Sequence, residues 1–169
     1  MGSTVKRVAV GLGSNLGDRQ GYLAQAREAL GALPDTRLTV ESPLYETPPW
    51  GYLEQGAFLN QVVGLGTTLG PESLLDACQT IEKTLGRERP FRNAPRTLDI
   101  DLLLYEEVTQ QDWRLNLPHP GILERDFVYV PLLDCLRKGD FFAGPYWDDW
   151  RARLSTIHPW PTLKRWSDS

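Results

Sequence analysis

The sequence has few cysteines and no long apolar stretch. Among its 169 residues only Cys78 and Cys135 are cysteine, and no C-x-x-C pair occurs. This excludes a disulfide framework and a cysteine-rich metal site, and it favours a reducing cytoplasm. Because no run of 18 apolar residues is present, we predict no transmembrane helix and no membrane partner. The first residues lead directly into a short apolar strand without a cleavage pattern, so we expect no signal peptide.

Two further absences narrow the function. The run Gly11-Leu-Gly13-Ser14-Asn15-Leu-Gly17 lacks both the glycine spacing of a dinucleotide-binding loop and the Gly-Lys-Ser/Thr of a P-loop. It is consistent with a strand-to-helix turn. A basic surface is also missing overall, since the net charge is −4 at pH 7 and the pI is about 5.2. This balance disfavours nucleic acid as a partner.

The most informative stretch is GRERPFRNAPRTLDIDLLLY, residues 86–105. Pro90 and Pro95 forbid a continuous helix in its first half, which is therefore an arginine-rich loop. The second half, residues 97–104, is predicted to be a strand with alternating faces. The apolar face carries Leu98, Ile100 and Leu102, and the polar face carries Thr97, Asp99 and Asp101. The loop arginines are Arg87, Arg89, Arg92 and Arg96.

This juxtaposition of arginines and aspartates indicates a site for Mg²⁺ and polyphosphate. Carboxylates at i and i+2 of a strand, here Asp99 and Asp101, repel each other unless a cation lies between them. Mg²⁺ prefers such oxygen ligands and completes its shell with phosphate and water. Guanidinium groups bind phosphate bidentately. The alternative is that both aspartates are solvated on an exposed strand and pair with the arginines as weak surface salt bridges. The local pattern leaves both interpretations open.

The periodicities predict a ferredoxin-like α+β fold. The element order is β-α-β-β-α-β, an antiparallel sheet flanked by helices. Asp18 is the expected N-cap of the first helix and Pro71 the first residue of the second. The predicted strands are 5–12, 37–45, 57–68 and 97–104, and the predicted helices are 19–33 and 71–86. We expect a single domain, 1–169, with its core at about 5–133 and an aromatic-rich C-terminal extension at 138–169.

Several short motifs occur in an order that is typical of one family. Together they resemble the 6-hydroxymethyl-7,8-dihydropterin pyrophosphokinase family of folate biosynthesis, and they extend across most of the chain. The motifs are Gly13-Ser14-Asn15, Tyr45-Glu46-Thr47-Pro48-Pro49-Trp50-Gly51, Phe58-Leu59-Asn60, Gly86-Arg87-Glu88-Arg89, Pro95-Arg96-Thr97-Leu98-Asp99-Ile100-Asp101, and Pro118-His119-Pro120 followed by Arg125 and Phe127.

The resemblance implies a diphosphokinase that moves pyrophosphate from ATP to the hydroxymethyl group of the pterin and releases AMP. It implies two Mg²⁺ ions on Asp99 and Asp101, with Arg87 and Arg96 also catalytic. The ATP-binding positions would be Leu75, Gln79, Arg89, Arg92, Leu102, Arg114, Asn116, His119 and Arg125. The pterin-binding positions would be Thr47, Pro48, Trp50, Phe58, Asn60 and Phe127. We expect a monomer whose partners are these two small substrates.

The chain departs from the family pattern at three places. Asn93 and Ala94 stand where many members have Trp and Gly before Pro-Arg, and the loop is one residue shorter. Phe58 and Pro120 each stand at a position where a Tyr is common in the family. Two alternatives to the pyrophosphokinase are a Mg²⁺-dependent nucleotidyltransferase on a ferredoxin-like palm and a non-catalytic nucleotide- or pterin-binding protein. No strong general base is evident, and His119 between two prolines is interpreted as a fixed structural or ligand-stacking group.

Overall fold

The structure is a computed structural model that describes residues 4–15, 17–48, 57–86 and 98–166. It contains four helices and eight strands within those ranges. The helices are α1 (Arg19–Gly31), α2 (Pro71–Gly86), α3 (Asp126–Arg137) and α4 (Pro145–Ser155). The strands are β1 (Lys6–Ser14), β2 (Thr36–Glu41), β3 (Tyr45–Thr47), β4 (Phe58–Thr67), β5 (Asp99–Tyr105), β6 (Gln110–Gln111), β7 (Asn116–Leu117) and β8 (Lys164–Arg165).

The main sheet has the order β5-β1-β4-β3-β8, and β2 also pairs with β4. All of its pairings are antiparallel. This confirms the predicted ferredoxin-like α+β class. The strand predicted over 37–45 is in fact split into β2 and β3, because Pro43 has no N–H to give to the sheet. At the interruption the Ser42 hydroxyl accepts the Val62 N–H at 3.0 Å.

Helices cover both faces of the sheet. Helices α1 and α2 pack on one face, here called the α1–α2 face, over apolar residues that include Val10, Leu65 and Ile100. Helices α3 and α4 pack on the opposite α3–α4 face, over Ala9 and Val62 among others. Asp18 caps α1 as predicted, because its carboxylate accepts the Gly21 N–H at 3.0 Å. No helix in the described ranges is long and apolar enough to span a membrane.

The C-terminal region contributes to the core. Residues 127–133 are helical as part of α3. Trp147 of α4 is fully buried, and its ring centroid lies 4.4 Å from that of Phe142. Trp150 is buried as well. Cys78 is a small buried residue of the core.

Arg7 on β1 connects the sheet to the segment between α3 and α4. Its side chain forms a two-pronged ion pair with Glu106, with Nε–Oε1 at 3.1 Å and Nη2–Oε2 at 2.7 Å. The third nitrogen, Nη1, donates to the carbonyl oxygens of Phe141 and Ala143. The Arg7 guanidinium lowers the pKa of the Glu106 carboxyl, and burial opposes this effect only in part.

Replacing Glu106 with glutamine should therefore lower the free energy of unfolding at neutral pH by about 1.5–3 kcal/mol, the range for a hydrogen bond to a charged group. A lowered pKa gives stability that is present above the ordinary carboxyl pKa and is lost as the pH falls through the folded-state value. The difference in the free energy of unfolding between wild type and Glu106→Gln should therefore become smaller at acidic pH. Urea unfolding measured from neutral to acidic pH checks this, with the exposed neighbour Glu107→Gln as the control. A difference that does not change with pH would contradict it.

Candidate active site

The sheet register places Asp99, a predicted metal ligand, and Asn60, a predicted pterin-binding residue, in one row. Asp99 is paired with Gly13, Gly13 with Asn60, and Asn60 with Tyr45. Directly paired residues of antiparallel strands project to the same face. Asp99 and Asn60 therefore share the α3–α4 face, with their backbones about 10 Å apart across two strand spacings. Asp101, which is paired with Gly11, lies on the same face.

Two glycines separate the carboxylates from Asn60. Gly11 and Gly13 of β1 carry no side chain on the face where the aspartates and Asn60 project, so the surface is recessed there. A Cβ added at Gly13 would lie 3.1 Å from Asn60 Oδ1, and one at Gly11 would lie 3.5 Å from the Leu103 side chain. The recess therefore depends on glycine at position 13, where any larger residue would crowd the amide.

The alternation predicted for the aspartate strand is confirmed from residue 98 onward, and Thr97 lies outside the described residues. Leu98, Ile100 and Leu102 are buried, whereas Asp99 is half-buried and Asp101 exposed. The strand β5 forms one end of the described sheet order, so part of its backbone has no neighbouring strand.

The helix α2 supplies a partner for this sheet edge. Glu82 accepts the N–H of Ile100, the residue between the two aspartates, at 2.8 Å through Oε2. This contact fixes the backbone from which both carboxylates project. Sequence reasoning did not identify Glu82 as a site residue. The available signal was an acidic residue within the apolar stripe of α2.

The amide of Asn60 is oriented by one specific partner. Asn60 is only 6% exposed, and its Nδ2 donates to Thr47 Oγ1 at 2.7 Å. Asn60 is thus a buried amide with a defined partner. Phe58 is paired with Thr47 and is half-buried, and Pro48 is exposed. Phe127 is half-buried in the first turn of α3.

His119 is held by two hydrogen bonds. Its backbone N–H donates to the Leu103 carbonyl at 2.9 Å, and its Nδ1 accepts the Gly121 N–H at 3.0 Å. Burial lowers the pKa of His119, the charge of Asp101 opposes that shift, and the charge of Arg125 adds to it. The ring is thus neutral at pH 7, with its proton on Nε2, and lies in the electrostatic neighbourhood of Asp101 and Arg125.

The other predicted nucleotide contacts occupy different surroundings. Gln79 and Asn116 are exposed and Leu75 is half-buried. The Leu102 side chain is 4% exposed in the core, so any contact with a nucleotide has to come from its backbone. Arg114 forms an ion pair with Asp76 of α2. The predicted site residues Trp50, Arg87, Arg89, Arg92 and Arg96 lie outside the described residues.

The donor set suits a cation that needs few protein ligands. In the part of the chain that the structure describes, no group of three or more His, Cys, Asp or Glu side chains is arranged to hold a metal. Asp99 and Asp101 supply two carboxylates beside the two glycines of β1. Mg²⁺ is usually held by one or two carboxylates together with water and substrate phosphates, so the two residues fit that ion.

The fold and the acidic pair define a class, namely an α+β protein of ferredoxin-like topology with two carboxylates on a strand at one end of its sheet. Comparison with known families makes the assignment specific. The sequence model of 7,8-dihydro-6-hydroxymethylpterin-pyrophosphokinase (HPPK) matches residues 9–137. The chain belongs to this family.

Individual relatives agree with the family assignment. Over 128 residues the chain is 48% identical to 2-amino-4-hydroxy-6-hydroxymethyldihydropteridine pyrophosphokinase of Methylorubrum extorquens, covering 76% of this chain and 81% of the relative. The enzyme of that name from Bacillus subtilis is 44% identical over 129 residues, covering 76% and 77%.

A solved structure shows the same fold. Plasmodium falciparum HPPK-DHPS with pteroate aligns with 98% of this chain at a TM-score of 0.66 and 13% identity. The chain spans about half of that solved chain, since the alignment covers 48% of it.

Proposed function

We propose that this chain transfers pyrophosphate from ATP to 6-hydroxymethyl-7,8-dihydropterin and releases AMP. The observation that carries the proposal is the shared row on the α3–α4 face. Two carboxylates stand on one side of a glycine-lined recess, and the buried Asn60–Thr47 pair stands on the other. Such a row can hold a metal-bound triphosphate and a polar heterocycle side by side, about two strand spacings apart.

Charged side chains form the ATP-binding end of the site. Asp99 and Asp101 would hold two Mg²⁺ ions, which when bound neutralise phosphate charge and align the reacting groups. Pyrophosphoryl transfer depends chiefly on such positioning and charge stabilisation. The arginines assigned to the phosphates are Arg87, Arg89, Arg92, Arg96 and Arg125. The nucleoside would be bound near Leu75, Gln79, Leu102, Arg114, Asn116 and His119.

His119 is better suited to positioning than to proton abstraction. Its Nδ1 lone pair already accepts the Gly121 N–H, and its Nε2 carries the proton. Neither nitrogen is therefore available to take a proton from the pterin hydroxyl. The backbone hydrogen bond to Leu103 holds the residue beside β5 in a fixed orientation.

The pterin end is built from a buried amide and aromatic rings. Asn60 presents its amide to the polar edge of the pterin, with Thr47 fixing the amide orientation. Pro48 and Trp50 belong to the same binding segment, and Phe58 and Phe127 supply rings for stacking.

Replacing Asn60 with alanine should raise KM for the pterin by about tenfold while KM for ATP stays nearly unchanged, because about one hydrogen bond to the pterin is lost. Thr47→Val should also raise the KM for the pterin, but by less, because it removes only the hydrogen bond that orients the Asn60 amide. Steady-state kinetics with each substrate varied checks this. The control is Gln61→Ala, which removes the next amide along β4. Gln61 contacts Arg27 of α1 and the Ser42 carbonyl instead. An unchanged pterin KM in Asn60→Ala would contradict the role of this residue.

We further propose that the chain acts as a monomer in a reducing cytoplasm. Cys78 and Cys135 are free and buried, and burial raises the pKa of each thiol to about 12. Neither thiol is therefore ionised or reactive at neutral pH, as suits structural core cysteines.

The experiment that tests the function is an analysis of nucleotide products. The protein is incubated with ATP, Mg²⁺ and the reduced hydroxymethylpterin, and the nucleotides are separated by ion-exchange chromatography. The proposal predicts AMP, formed only when the pterin is present. ADP as the only product, release of free pyrophosphate as by a nucleotidyltransferase, or binding without turnover would each overturn it.

A further inference from the structure

We propose that the C-terminal segment ending at Trp166 acts with Arg19 to position the pterin-binding end of β3 and β4. The inference rests on the proposed function, because it concerns how Thr47, Phe58 and Asn60 are held. Trp166 and its neighbours Lys164 and Arg165 lie beyond residue 137, where the family match ends. This positioning role is therefore assigned from the contacts of the chain itself.

Arg19 links the strands that carry the pterin-binding residues. From the first position of α1, its Nη1 donates to the Ala57 carbonyl at 2.9 Å, just before β4 begins. Its Nη2 lies 2.8 Å from Glu46 Oε2 on β3. One guanidinium thus joins β3 to the start of β4. The side chains of Arg19 and Glu46 are each 20% exposed, so solvent screens this ion pair less than it screens a fully exposed one.

The C-terminal segment covers the opposite edge of β3. In β8, Lys164 is paired with Glu46 and Arg165 with Tyr45. The Lys164 ammonium lies 3.3 Å from the second carboxylate oxygen of Glu46. Glu46 is therefore bound from two directions, by Arg19 and by Lys164. These charges lower the pKa of its carboxyl, with the Arg19 hydrogen bond as the main cause.

Trp166 completes the arrangement. Its backbone N–H donates to the Leu44 carbonyl at 2.9 Å, immediately before β3. Its ring lies over the Arg19 guanidinium at 5.0 Å, a cation–π contact. Its indole N–H donates to Gln20 Oε1 at 3.4 Å. The tryptophan therefore fixes Arg19 in the position from which it reaches both Glu46 and Ala57.

The consequence concerns the proposed pterin site. β3 has only three residues, and Thr47 is its last. A strand this short needs flanking contacts to stay ordered. The contacts of Arg19, Lys164 and Trp166 act on Leu44, Glu46 and Ala57. Glu46 and Ala57 adjoin the paired residues Thr47 and Phe58, and Leu44 immediately precedes β3. If Thr47 and Phe58 are already ordered before the pterin binds, binding loses less conformational entropy. The affinity for the pterin is therefore higher.

The test uses the full chain with Trp166→Ala, Trp166→Phe and Arg19→Lys. We expect Trp166→Ala to weaken pterin binding about three- to tenfold, measured by calorimetry without nucleotide and as pterin KM. The values of kcat and of KM for ATP should change less than about twofold, and Trp166→Phe should recover most of the loss because it keeps a ring. Lysine cannot span both partners of Arg19, so Arg19→Lys should weaken pterin binding in the same way. The control is Trp160→Ala, which removes another tryptophan of the tail, one that packs on Tyr129.

The possible outcomes separate the two proposals. If wild type forms no AMP from ATP and the pterin, the proposed function fails and this inference fails with it. If wild type binds pterin but Trp166→Ala and Arg19→Lys bind it as well as Trp160→Ala does, only the positioning role is overturned. The same holds if kcat and the melting temperature fall while both KM values stay unchanged, which would indicate a stability role alone. If Trp166→Ala does not fold, Arg19→Lys and Trp166→Phe decide the question on the same readouts.

Discussion

Replacing either Asp99 or Asp101 with alanine should reduce kcat by about a thousandfold or more while leaving the chain folded. The two carboxylates are the described oxygen ligands assigned to the metal, and they project from the same strand at i and i+2. Losing one would leave the triphosphate charge poorly neutralised and its phosphates misaligned. Removal of a single group that stabilises transition-state charge costs about a hundred- to a thousandfold, and loss of a metal ligand removes more than one such interaction.

The fold should tolerate these changes because neither side chain forms part of the apolar core. Asp101 is exposed and Asp99 is half-buried. The metal-free variants should therefore melt close to the wild-type temperature. Asp149→Ala, on the exposed face of α4, is the matched control and should retain full activity. Unchanged turnover in both Asp99→Ala and Asp101→Ala would contradict the metal assignment.

The largest expected effect on stability comes from Trp147→Ala, which should lower the free energy of unfolding by about 3–5 kcal/mol. Trp147 is fully buried and is surrounded by aromatic rings, with centroids of Phe142 at 4.4 Å and Tyr146 at 4.8 Å. The Arg7 guanidinium lies 5.9 Å from its ring centroid. Truncation would leave a large cavity between α4 and the sheet and would disturb the site where Arg7 anchors the chain.

Differential scanning calorimetry measures this effect as a melting temperature lower by about 10 °C, given about 2–4 °C per kcal/mol for a chain of this size. Trp113→Ala is the control, because Trp113 is 94% exposed and its loss should leave the melting temperature nearly unchanged. Equal and small shifts in the two variants would show that the C-terminal region is not part of the folded core.

Local patterns were sufficient to predict most of the sheet and the acidic pair. The alternation of Leu98, Ile100 and Leu102 with the aspartates identified a strand and the exposed side of its carboxylates, because side-chain direction has a strict period of two. Asp18 and Pro71 marked helix starts through the preferences of the first helical turn. These signals depend on neighbours in sequence, so they can be interpreted without knowing the fold.

The features that were not predicted depend on partners far away in the chain. The helix α4 has two tryptophans whose burial depends on Phe142, Tyr146 and the sheet, and β8 is a two-residue strand that exists because it pairs with β3 about 120 residues earlier. Glu82 and Arg19 became recognisable as positioning residues only when their contacts with Ile100 and with Glu46 were known. Charged side chains at such positions resemble ordinary surface residues in the sequence alone.

The most direct test of the central claim follows the β-phosphate of ATP. The protein is supplied with ATP radiolabelled at that position, Mg²⁺ and 6-hydroxymethyl-7,8-dihydropterin, and the products are separated. Pyrophosphoryl transfer predicts that the label appears in the pterin and that one AMP is formed for each pterin consumed. Label found in ADP or in free pyrophosphate, with none in the pterin, would contradict the account.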